Sequence, residues 1–87
     1  MSVWAYVFIH SRYPKRVLQR VRRISGVVHA DALFGTPDII AIVSGADVPT
    51  MDAVIDRIAL IKDISATESK VARLIGRLGP PRSGVPF

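Results

Sequence analysis

A turn, Gly35-Thr36-Pro37-Asp38, and a polar stretch, Thr67-Glu68-Ser69, together supply carboxylates, hydroxyls and backbone N–H groups. Such a set can hold a small zwitterion such as an amino acid: Asp38 takes the ammonium, and N–H and hydroxyl groups take the carboxylate. The same residues also have a purely structural reading, as an Asp that opens a strand after a turn and as polar positions on an edge strand. His10 and His29 fall at one strand's end and another's start, with no convergent carboxylate that spacing identifies. They read as a strand-end and an edge-strand histidine. No Ser-His-Asp or Cys-His arrangement can be inferred, and the Gly35 turn lacks the lysine and the following helix of a phosphate-binding loop. No catalytic residue, metal ligand or cofactor is expected.

A third group is cationic. Arg12, Arg16, Arg20 and Arg23 form one stripe if a helix starts early, and Lys15 and Arg22 flank it. Such a stripe can track nucleic-acid phosphates or meet an acidic partner. It can equally be the solvated face opposite an apolar stripe of Val17, Leu18, Val21 and Ile24.

Composition narrows the classes. With 87 residues the chain makes one small domain, whose stability is marginal unless something helps. The absence of cysteine removes disulfides and thiolate metal sites, and two histidines are too few for most all-histidine zinc sites. The apolar content is 49% and the mean hydropathy +0.33, yet no apolar run approaches the roughly 20 residues that span a bilayer. A secretory leader pattern is missing as well. The expectation is a cytoplasmic globular domain with no membrane partner, its excess apolar surface used between subunits. The net charge of +5 is uneven: no acid precedes Asp31, whereas six acids face only Arg57 and Lys62 between Asp31 and Asp63.

The elements that must position these groups alternate. Val3 to Ile9 is a β-branched and aromatic run, hence a strand. Pro14 suits a first helical position, and Gly26 is expected to end the helix it opens. Val27 to Phe34 is a second strand, with Val28, Ala30, Ala32 and Phe34 alternating against Val27, His29, Asp31 and Leu33, and Ile39 to Val43 is a third. A second helix after Gly45 to Pro49 carries a stripe of Met51, Val54, Ile55, Ile58 and Ile61. The fourth strand falls within Ile64 to Ile75. Residues 1–75 form the folded unit, and 76–87, with three glycines and three prolines, form a flexible tail.

The order βαββαβ, with right-handed crossovers, predicts an α+β, ferredoxin-like sandwich with an antiparallel four-stranded sheet. Its first and third strands are central, and these two are apolar on both faces. Two helices cover one face only. The other shows Trp4, Tyr6 and Phe8, and leaving such side chains wet forgoes a few kcal/mol by the rule of about 25 cal/mol per Å². A second copy packing sheet against sheet removes that cost, so a homodimer is expected with Trp4, Tyr6 and Phe8 at its interface. The third strand lacks the aromatic RNA-binding signature seen on some ferredoxin-like domains.

Over Val3 to Ile75 the sequence resembles the effector-binding RAM domain of the Lrp/AsnC (feast/famine) transcription regulators. The resemblance rests on Ala5-Tyr6-Val7-Phe8-Ile9, Ile24-Ser25-Gly26-Val27, Gly35-Thr36-Pro37-Asp38-Ile39-Ile40-Ala41, Asp47, Ile61 and Thr67-Glu68-Ser69. It implies a dimeric α/β barrel, higher assemblies such as a tetramer of dimers, and amino-acid effectors bound at contacts between dimers. The ligand contacts it implies are Gly35, Thr36, Pro37, Asp38, Thr67 and Ser69. Ser69 stands where the family has threonine, and Asp63 where glycine is common. The chain starts at the first strand and so resembles the stand-alone form without the helix-turn-helix; direct reading of DNA sequence is not expected. The expected role is a non-enzymatic sensing and oligomerisation module that modulates transcription, alone or by co-assembly with full-length regulators. Two alternatives stand beside it. One is a small dimeric barrel enzyme with His10, His29 or Trp4 in a cavity. The other is a nucleic-acid-binding module using the basic first helix.

Overall fold

The structure, a computed structural model, describes residues 2–72. The expected tail at 76–87 lies outside them. Six elements follow in order: β1 (Val3–Ser11), α1 (Pro14–Val21), β2 (Val27–Ala32), β3 (Ile39–Gly45), α2 (Val48–Ala59) and β4 (Ile64–Val71). The strands form one antiparallel sheet in the order β2-β3-β1-β4. This is the ferredoxin-like sandwich, with β1 and β3 central as their two-faced apolar sequences require.

The register sorts the side chains. Ala5, Val7 and Ile9 stand opposite Val43, Ala41 and Ile39, and all six are fully buried beneath the helices. Val17 and Val21 of α1 and Met51, Val54 and Ile58 of α2 close that layer. Leu18 and Ile55 pack at its margin, as the helical spacing predicts, and Ile24 and Ile61 pack there too, although they lie beyond the ends of α1 and α2.

Each helix start has a local cause. Pro14 opens α1 without a side-chain cap. At α2 the cap is Asp47, whose carboxylate accepts the Thr50 N–H at 2.9 Å. The two hydrogen bonds from Thr50 hold the Asp47 carboxyl below its ordinary 3.8. A carboxyl depressed in the folded state adds stability above the unfolded value and loses it as pH falls through the folded one. Asp47→Asn retains an acceptor for the cap. We expect its thermal midpoint to fall less steeply than wild type between pH 5 and pH 2. Parallel midpoint curves for the two proteins would show that Asp47 adds nothing to the acid limb.

Three local expectations need correction. Gly26 does not end α1: the helix stops at Val21, and two tighter turns follow, Arg23 N–H to the Arg20 carbonyl and Ile24 N–H to the Val21 carbonyl. Gly26 instead sits at the entry to β2 with φ +97°, where an added Cβ would lie 2.5 Å from Val54 Cγ2. The strict alternation expected along β2 also fails. Val27 pairs with Val43 and His29 with Ile42, so Val28 is the extra residue of a bulge and turns outward, 65% exposed. Finally, β2 ends at Ala32 rather than Phe34, because the Leu33 N–H bonds the Asp38 carbonyl and closes the connection into a loop.

One long side chain ties the layers at the β2 edge. Arg22, just past α1, donates from Nε and Nη2 to the Ala30 carbonyl at 3.0 and 2.9 Å. Its Nη2 also lies 3.5 Å from Asp31 Oδ1. Asp31 in turn contacts His29 Nε2 at 2.5 Å.

Candidate functional site

The Gly35–Asp38 turn and the Thr67–Ser69 stretch lie toward the same end of the sheet, on opposite sides of β1. Asp38 is a junction. Its N–H donates to the Ile9 carbonyl at 3.0 Å, and its Oδ2 accepts the Ser11 N–H at 2.9 Å. Ser11 is buried and continues the network: its hydroxyl donates to the Asp63 carbonyl at 2.6 Å and accepts the Tyr13 N–H at 2.9 Å. Asp63, in a left-handed conformation at φ 75°, carries an ion pair to Arg16 at 3.3 Å. Ser65, the extra residue where the β1–β4 register shifts, donates its hydroxyl to the His10 carbonyl at 3.0 Å. The β1 terminus is thus bolted to both neighbouring connections by side-chain oxygens. This network places Asp38 with one carboxylate oxygen engaged and the other without a partner among the described residues.

The turn itself is open. Gly35 and Thr36 are exposed, Pro37 follows a cis peptide bond, and Gly35 has φ +95° with nothing within 4 Å of an added Cβ. Phe34 beside it is fully exposed. On β4, Thr67 stands opposite Ile9 and Ser69 opposite Val7, so both point to the helix side of the sheet. Ile9 also pairs with Ile39. Thr67 and the start of β3 are therefore two strand spacings apart, roughly 10 Å. One chain does not bring the two halves of the expected ligand set into contact.

The opposite sheet face carries Tyr6 across from Ile42, and Phe8 across from Ile40. These four residues are half-buried. Trp4, expected to be wet, is only 8% exposed in the single chain. It packs edge-on against Tyr6, with ring centroids 5.2 Å apart and planes at 72°, an arrangement that shields both rings. Burial raises the Tyr6 hydroxyl above its ordinary pKa. The apolar wall is thus narrower than composition implies, and Tyr6, Phe8, Ile40 and Ile42 form its open part.

Of the cationic stripe, only Arg16 and Arg20 lie within α1; Arg12 precedes the helix and Arg23 follows it. Arg16 is spent on Asp63 and on the Tyr13 ring, 4.7 Å from its centroid. An open depression of about 730 Å³ adjoins the helix start, lined by Arg12, Lys15, Arg16, Tyr13 and Leu18 among others. His10 and His29 are separated: His29 belongs to the Asp31–Arg22 group on the β2 edge, and His10 meets Ser65 through its backbone. No group of three His, Cys, Asp or Glu side chains able to hold a metal occurs among the described residues. The same residues contain no helix long and apolar enough to cross a membrane.

The roles of Ser11 and Arg22 escaped sequence reasoning. Neither belongs to a motif, and their partners lie 52 and 8 residues away. The signal available for Ser11 was a small hydroxyl residue continuing an apolar strand.

The fold is thus a ferredoxin-like sandwich with Asp38 held in the turn at one end of its sheet. The chain belongs to the Lrp/AsnC ligand binding domain family, whose model matches residues 4–73. No curated protein matches the sequence. Among solved structures, a protein of Thermus thermophilus superposes with a TM-score of 0.76 at 23% identity, covering 92% of this chain and 99% of that one. AsnC of E. coli superposes with a TM-score of 0.75 at 18% identity, covering 91% of this chain. A transcriptional regulator of Neisseria meningitidis in complex with L-methionine gives 0.72 at 16% identity over 97% of this chain. The chain spans 56% of the length of each of these two regulators.

Proposed function

We propose that the chain senses an amino acid and couples it to assembly, within a system that regulates transcription. The observation that carries this reading is Asp38. Its carboxylate is fixed by the Ser11 N–H at the mouth of an exposed turn, with its second oxygen available to an ammonium group. Gly35, Thr36 and Pro37 border the ligand on that side, and Thr67 and Ser69 supply hydroxyls for a carboxylate. Because those two halves sit on either side of β1 in one chain, the ligand lies where copies meet. Copies pair through Tyr6, Phe8, Ile40 and Ile42, with Trp4 behind them, and the pairs join into larger assemblies such as a tetramer of dimers. Co-assembly with full-length regulators transmits the signal; base reading is left to them. The family match over residues 4–73 supports this reading, as does a neighbour that binds L-methionine.

A barrel enzyme around His10 finds less support. Val7, Ile9, Met51 and Ile58 fill the space between sheet and helices, each fully buried.

Calorimetry against the twenty amino acids, with solution mass measured alongside, tests the proposal. At least one amino acid is expected to bind and to shift the mass distribution, since an effector moves an assembly only by its differential affinity. Asp38→Asn keeps an acceptor for Ser11 and removes the charge, and is expected to weaken binding by about 10- to 100-fold, the worth of a charged hydrogen bond. Failure of every amino acid to bind would refute the sensor reading, and undiminished affinity in Asp38→Asn would remove Asp38 from the site.

A further inference from the structure

The cationic group around α1 is not used by the sensing role. From Ile9 to Ala30 the chain holds six basic residues and no acid. Two of the six are satisfied internally, Arg16 by Asp63 and Arg22 by Asp31 and the Ala30 carbonyl. Arg12, Lys15, Arg20 and Arg23 are all exposed and form no ion pair among the described residues. They sit on α1 and the connections at its two ends, with Arg12 and Lys15 also lining the open depression there. Lys15 and Arg20 on α1, with Arg12 and Arg23 at its two ends, thus leave four charges of one sign without an ion pair among the described residues.

Two surfaces are complementary to such a patch: an acidic protein or a polyphosphate backbone. Protein interfaces take their affinity from apolar anchors in a desolvated centre. Here the apolar residues of α1 are turned inward: Val17 and Val21 are fully buried and Leu18 is half-buried. Tyr13, the aromatic of the patch, already carries Arg16 over its ring, which occupies the platform a single-stranded base would stack on. What is left is charge and hydrogen-bond donors, the requirement of a duplex backbone. We infer that the α1 face binds the phosphates of duplex DNA without reading its sequence, through Arg12, Lys15, Arg20 and Arg23. The helix is eight residues long, and its inner side is committed to the core, so it does not enter a groove as a recognition helix. On α2, Asp52 and Asp56 outnumber Arg57, and this limits the contact to α1 and its two ends. The assembly would thereby rest on the same DNA that partner regulators read.

Fluorescence anisotropy with a labelled 30-base-pair duplex, titrated with NaCl from about 50 to 300 mM, tests this. Four contacted phosphates predict that log K falls against log salt with a slope of about −3.6 for each protomer in contact. Arg20→Gln/Arg23→Gln should make that slope shallower by about 1.8, irrespective of the duplex sequence. Arg57→Gln/Lys70→Gln removes equal charge elsewhere and should leave the slope within 0.5 of wild type, roughly half of one phosphate contact. Circular dichroism verifies that the variants stay folded. An unchanged slope in Arg20→Gln/Arg23→Gln overturns the proposal. So does absence of duplex binding at the lowest salt, or tighter binding to polyglutamate or to a single strand than to the duplex.

Discussion

Ile42→Glu is expected to leave the protein folded and monomeric. Ile42 lies at the middle of the open sheet face, opposite Tyr6 on one side and His29 on the other. It is half-buried in a single chain, so the fold tolerates a polar replacement there. A copy laid against this face buries what remains of it. Fully burying an aliphatic side chain of this size is worth about 1.5–3 kcal/mol, and about half of that remains to be gained here. In a symmetric pair the residue occurs twice, so its loss removes about 1.5–3 kcal/mol, before any cost of enclosing a carboxylate. The dissociation constant of the pair then rises by more than about 10-fold. Sedimentation velocity at micromolar concentration reads this directly, with Val28→Glu on the outward β2 bulge as the control that stays paired. If Ile42→Glu sediments as wild type does, the copies do not meet through this face. Amino-acid-dependent changes in mass should vanish with the pairing.

The second large effect is expected at Gly26. Its φ of +97° costs a residue with a Cβ about 1–2 kcal/mol. The new methyl would also lie 2.5 Å from Val54 Cγ2, and overpacking of this kind costs about 1–3 kcal/mol. Gly26→Ala should therefore lose about 2–5 kcal/mol, against a whole-domain stability of roughly 4–13 kcal/mol for a chain of this size. The two contributions can be separated. Val54→Ala removes the collision and leaves the backbone strain, so the double variant should be more stable than the sum of the single effects predicts. Chemical denaturation of the four proteins measures this coupling. Simple additivity would mean that Val54 is not what Gly26 makes room for.

Much of the architecture could be read directly from side-chain types. The apolar residues on both faces of Val3–Ile9 and Ile39–Val43 placed β1 and β3 at the centre, and the structure has them there. The spacing of Met51, Val54 and Ile58 identified the buried side of α2. Positions decided by one atom meeting another were not legible. Gly26 looked like a helix cap because glycine suits both a cap and a close approach, and only the distance to Val54 tells them apart. The bulge at Val28 depends on where β2 registers against β3, which no local pattern encodes. The candidate site was legible as residue types, and its turn and hydroxyl strand do lie toward one end of the sheet. Its internal wiring was not, since Asp38 reaches Ser11 across 27 residues and Ser11 reaches Asp63 across 52.

The guanidinium of Arg22, clamped on the Ala30 carbonyl, has a consequence for growth. A bare strand margin invites another chain to add itself in register, and repeated addition produces fibres. With that carbonyl already engaged and a bulky cation standing beside it, the β2 margin is a poor template for further strands. The pairing proposed for the sheet face is thereby spared competition from strand addition at this point of the border.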